Sequence, residues 1–189
     1  MADQLYLSYW INGFTEHNML RFYEKALRLF PVSRLNPNAS TLRITPIAVT
    51  EPALFEQAFA PGFTPDEVIA SSQAFRHADC AYQFDTSWDL WQHEQDWALQ
   101  PSRVSLVCYG PEFEHELGEN LLVDFGVDAN FLPRTDVEGA LTMAQSNIRS
   151  LLKFVHDVDD ALGTPRRQLW TESGESFAER LQRVLSEES

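Results

Sequence analysis

Residues 81–91 alternate without a break. Tyr82, Phe84, Thr86, Trp88 and Leu90 stand on one side of an extended chain, and Gln83, Asp85, Ser87 and Asp89 on the other. A period of two with one apolar and one polar face belongs to an antiparallel strand buried on one side only. The chain therefore has to build a sheet with one core face and supply helices to cover that face.

The helices are legible around it. Phe63-Thr64-Pro65-Asp66-Glu67-Val68 places Thr at an N-cap, Pro at the first helical position and Glu at N3, and Phe63 and Val68 can staple the entry. This predicts a helix to about His77. Thr15 is a good N-cap for a helix over 15–30, whose apolar face is Met19, Phe22, Tyr23, Ala26, Leu27 and Phe30. Thr135 and Glu138 form a second capping box before a long helix over 136–162, with Gly163 at its C′ position and Pro165 beyond. A last helix is predicted around 174–186.

Further strands are predicted at 5–11, 41–49, 103–109 and 120–127, with a short one at 96–99. Residues 5–11 are largely apolar on both sides, which suggests a central strand covered twice. Pro46 cannot donate to a ladder and puts 41–49 at an edge or a bulge. Residues 52–59 are assigned a short helix. The opening order strand–helix–strand permits one parallel crossover. The expected fold is α+β in a single domain over 1–189. It has a mixed, mostly antiparallel sheet of about five strands, helices packed mainly on one face and a long C-terminal helix. The segments 31–40 and 163–174 are expected to be the most mobile.

Charge narrows the function classes. The chain has 28 acidic and 14 basic side chains, a formal net charge of −14. The excess is spread out: residues 1–94 carry 11 acids and 6 bases, residues 95–189 carry 17 and 8. A field of this sign repels phosphate backbones, so no nucleic-acid partner is expected. No apolar run approaches a membrane span, and the N-terminus lacks the pattern of a signal peptide. Neither a membrane partner nor a leader is expected, and the cytoplasm is the expected compartment. Cys80 and Cys108 form no CxxC and read as buried free thiols. The sequence has no GxGxxG, Walker A, HExxH or GxSxG motif, and no cofactor is expected.

Candidate sites remain. Trp88, Trp91 and Trp97 fall close together with Asp89, His93 and Asp96 among them. Trp88 belongs to the core by parity. Trp91 and Trp97, with His93 and Asp89, form a candidate binding surface, because Trp is enriched at interface hot spots. In His156-Asp157-Val158-Asp159-Asp160, a helix sets His156 and Asp160 one turn apart, so His156, Asp157 and Asp160 form a candidate metal site. Against that stands a solvated helix end with Arg166 and Arg167 nearby to offset its carboxylates. Glu112, Glu114, His115 and Glu116 suit acid–base work or a charged loop, and His77 and Cys80 suit a nucleophile pair or a helix end beside a buried thiol.

The leading expectation is a non-catalytic binding protein that recognises another protein, a basic partner being one concrete version. The alternative is a metal-assisted hydrolase using the His/Asp cluster on the long helix. A small-ligand pocket between sheet and helix is a third reading. The oligomeric state is open, and a homodimer is compatible with the sequence.

Overall fold

A computed structural model describes residues 2–134, 136–163 and 166–187. The elements run β1 (Gln4–Trp10), α1 (Met19–Leu29), β2 (Ser40–Pro46), β3 (Phe55–Phe59), α2 (Pro65–Gln73), β4 (Cys80–His93) and β5 (Trp97–Tyr109). They continue with β6 (Leu121–Val127), a 3-10 turn at Asp128–Asn130, α3 (Ala140–Leu162), β7 (Arg166–Thr171) and α4 (Phe177–Glu187). Among the described residues the strands form one seven-stranded sheet in the order β3-β2-β4-β5-β6-β1-β7. Every neighbouring pair is antiparallel. The fold is α+β.

The sheet is larger and more uniform than the sequence pattern predicts. Residues 52–59 supply an edge strand, β3, instead of a helix. Segment 166–171, expected to be loop, supplies the other edge, β7. No parallel crossover forms, because three strands separate β1 from β2. The long helix is α3, 23 residues, and it is followed by β7 and the 11-residue α4, so the long helix is not the C-terminal element. It starts at Ala140; Thr135 of the expected capping box lies outside the described residues, as does Pro165. Pro46 is the last residue of an internal strand, past the point where β3 stops pairing, so its missing N–H costs no ladder bond to β3.

One core sits between the sheet and its helices. Leu5, Leu7 and Tyr9 of β1, Leu42 and Ile44 of β2, and Tyr82, Phe84, Trp88 and Leu90 of β4 belong to it. So do Val104, Leu106 and Cys108 of β5 and Leu121, Val123 and Phe125 of β6. They meet Met19, Tyr23 and Leu27 of α1, Val68 of α2, and Leu151, Phe154, Val155 and Val158 of α3. The residues between them along each strand point to the other side of the sheet. The Thr64–Glu67 capping box starts α2 as predicted: Thr64 N–H donates to Glu67 Oε2 at 2.6 Å. At α1 the cap is Asn18 instead of Thr15; Thr15 closes the preceding turn, its carbonyl accepting from Met19 N–H at 2.9 Å.

The β4–β5 hairpin overshoots the sheet, and its free edge needs partners. Asn147 of α3, 2 % exposed, supplies them: Trp91 N–H donates to its Oδ1 at 2.9 Å, and its Nδ2 donates to Trp91 O at 2.9 Å and Asn130 O at 2.7 Å. The amide thus stands in for the missing strand. Lower on the same edge, Ser33 N–H donates to Ser87 O at 2.7 Å, fastening the loop expected to be mobile. Asn147→Ala removes all three bonds from a buried site. It is expected to lower stability by about 2 kcal/mol or more, seen in the urea midpoint; a loss below about 0.5 kcal/mol would show that the hairpin is held elsewhere.

Candidate binding face

The hairpin residues singled out above do not form one surface. Trp91, His93 and Trp97 do meet, around a cavity of about 150 Å³ that Asn130, Leu132 and Asn147 also line. His93 and Trp97 rings lie edge to face at 5.1 Å. Trp97 Nε1 is committed to Glu138 O at 2.9 Å. Asp89 is elsewhere: its carboxylate accepts from Ser33 Oγ and from Arg34 N–H at 2.9 Å, pinning the 31–39 loop.

The cluster on α3 is divided among separate partners. Asp157 pairs with Lys153, and His156 Nε2 stands 3.5 Å from Asp160 Oδ2, both exposed. Asp159 accepts from Tyr9 OH at 3.0 Å and from Arg167 Nε at 2.6 Å. Of the two cations expected to offset this helix end, Arg167 does so; Arg166 instead lies 4.4 Å over the Trp10 ring. Among the described residues no group of three or more His, Cys, Asp or Glu is placed to share a metal ion. Both cysteines are buried free thiols. Burial and the neighbouring Asp79 carboxylate push Cys80 up to about 11, away from the thiolate a nucleophile needs.

The opposite face of the sheet is where polar groups converge. Pairing across six strand boundaries aligns one row: Ala58, Thr41, Asp85, Ser105, Asp124, Tyr6 and Trp170. At its centre Asp85 is well supplied. It accepts from Ser105 Oγ and from Gln83 Nε2 at 2.9 Å, and Arg103 stands 3.4 Å away. Asp124 is not. It accepts one hydrogen bond, from Gly126 N–H at 2.9 Å, and forms no ion pair among the described residues. Burial, more than that bond or the more distant Arg103 can offset, holds its carboxyl above the ordinary Asp value, and the Asp85 charge adds to the shift.

A bulge sets Asp124 in place. Gln4 pairs with Val127 and Tyr6 with Asp124, so β6 carries one extra residue between those pairs. Gly126 lies in that stretch with φ +77°, a conformation that suits glycine. A cavity of about 440 Å³ opens there, lined by Asp124, Ser102, Ser105, Arg103, Gln4 and Asn130 among others. On the other side of Asp124, Tyr6 and Trp170 rings contact at 4.7 Å.

Two loops rim the lower end of the same face. In the first, Ile47 has φ +67°, the one non-glycine residue with positive φ among those described. A β-branched residue there is strained. Both of its peptide groups are tied down: Ile47 N–H donates to Asp79 O at 2.7 Å, and its carbonyl accepts from Glu114 N–H at 2.8 Å. The second loop, 110–119, packs close: a Cβ at Gly110 would run into Ala78 O and Cys80 O. Within it His115 stacks on Tyr109 at 4.1 Å, with Nδ1 3.4 Å from buried Glu119. Burial holds His115 below its ordinary value despite that carboxylate. The loops leave Ile47, Val49, Leu54 and Leu117 about half or more exposed, beside exposed Glu51, Glu112, Glu114 and Glu116. A second cavity, about 420 Å³, lies inside this rim between Val49, Ala53, Val107, Tyr109 and Phe113.

Comparison with known proteins assigns no family: no family model, curated protein or solved structure matches the chain. No helix among the described residues is long and apolar enough to cross a membrane. Sequence reasoning missed Asp124. Its signal was present, since inward Leu121, Val123 and Phe125 point Asp124 outward and Asp is disfavoured in mid-strand. Its alignment with Asp85 depends on pairing across strands that no local pattern encodes.

Because the folded state raises the Asp124 value, ionised Asp124 opposes folding. That penalty is fully present above the folded value and disappears as pH falls through it to the ordinary 3.8. Asp124→Asn should therefore raise the thermal midpoint at neutral pH, with the advantage lost below about pH 4. A destabilised variant at neutral pH would mean that the carboxylate is structurally satisfied.

Proposed function

We propose that the protein is a non-catalytic binding protein that recognises a basic protein partner through the uncovered sheet face and its loop rim. The observation that carries this reading is the rim itself: exposed Ile47, Val49, Leu54 and Leu117 interleaved with Glu51, Glu112, Glu114 and Glu116. Apolar contact area among unpaired acids suits a partner whose own surface mixes basic and apolar side chains. The strain held at Ile47 supports the reading, since such cost is retained where surrounding structure and function need one backbone shape.

The charge distribution supports the sign of the partner. Arg28, Arg43, Arg103, Lys153, Arg167 and Arg180 are already paired with carboxylates of the chain. The carboxylates of the rim have no such pairs among the described residues. With a net charge of −14, association with a basic protein would be steered and sensitive to salt.

Affinity capture from cell extract tests this. Basic proteins should be retained at low ionic strength and released by about 0.5 M salt. Val49→Lys combined with Leu117→Lys should cut retention about tenfold while leaving the thermal midpoint unchanged. Retention indifferent to both salt and these substitutions would contradict the proposal.

A further inference from the structure

Among the groups on the uncovered face, Asp124 is the one whose environment is incomplete. Its neighbour Asp85 has a hydroxyl, an amide and a guanidinium; Asp124 has one backbone N–H. Arg103 lines the same cavity but is turned to Asp85, across Ser105. The cavity of about 440 Å³ therefore presents a carboxylate with no cation in contact with it, with the hydroxyls of Ser102 and Ser105 beside it. Tyr6 and Trp170 continue the row from Asp124 as a pair of rings.

Resting on the reading of a basic partner, we infer that this cavity is the seat for an arginine side chain of that partner, with its guanidinium paired to Asp124. The choice of guanidinium over ammonium follows from the carboxylate and hydroxyls of the lining and from the Tyr6 and Trp170 rings on the far side of Asp124. A planar fork can engage a carboxylate with two parallel hydrogen bonds, has donors left for nearby hydroxyls, and stacks on aromatic rings. This face already holds one such stack, Arg166 on Trp10. The inserted cation would also relieve a cost already present in the free protein, a half-buried charge with no counter-ion in direct contact. The bulge at Gly126, which shapes the strand next to Asp124, is then part of the seat.

The test is calorimetric titration of the full chain at low salt with a polyarginine peptide and with polylysine of the same length. Polyarginine should bind the tighter of the two. Asp124→Asn should weaken polyarginine about tenfold, while Asp160→Asn, on exposed α3, should change it less than about twofold. Equal weakening by the two substitutions, no effect of Asp124→Asn, or equal affinity for the two peptides would overturn the seat while leaving the basic-partner reading intact. Failure of both peptides to bind would overturn the seat and the basic-partner reading together. Loss of folding does not confuse the result, because Asp124→Asn removes a destabilising charge.

Discussion

An antiparallel sheet whose helices share one core must leave its other face to water, to its own loops or to a partner. Everything else in this protein follows from that one-sided burial. Leu5, Leu7, Phe84, Trp88, Leu106, Val123 and Phe125 take the helix side, and alternation then obliges Tyr6, Asp85, Ser105 and Asp124 to take the other. A one-residue slip in any strand would exchange the two sets, so the core fixes the polar face as firmly as it fixes itself. The uncovered face is thus as precisely placed as the core.

That precision gives the electrostatics their meaning. The carboxylates on α3 are cheap: Asp160 is exposed beside His156, and Asp157 and Asp159 are paired with Lys153 and Arg167. Asp124 sits where neighbouring strands remove water and no cation pairs with it directly, Arg103 acting only from a distance, which is why burial dominates its titration. A group that costs the fold and supports only the Gly126 N–H beside it fits a role in recognition better than a role in stability. The acidic and apolar rim at residues 47–54 and 110–119 extends the same face.

Much of the architecture was legible, for local reasons. The Thr64 capping box, the alternation of 81–91 and the amphipathic face of α1 are encoded within a few residues and appear as predicted. What was not legible depends on distant pairing. β3 carries a Phe-Glu-Gln-Ala-Phe pattern too short to separate from a helix, and becomes a strand because β2 offers an edge. β7 is a strand because β1 pairs with it. At the hairpin, sequence identified Trp91 and Trp97 but not that Asn147 would hold the edge between them and α3. The candidate face was half visible: Asp85 and Asp89 were seen as outward, yet Asp89 serves a loop, and the row joining Asp85 to Asp124 exists only once three strands are aligned.

The central claim is that Asp124 is a half-buried carboxylate left unpaired in the free protein. Titrating its side-chain carboxyl carbon by NMR measures this directly. The account predicts a value above the ordinary 3.8. A value at or below 3.8 would show that a cation or hydrogen bonds already satisfy Asp124, and the cavity beside it would lose its reason for taking a cation.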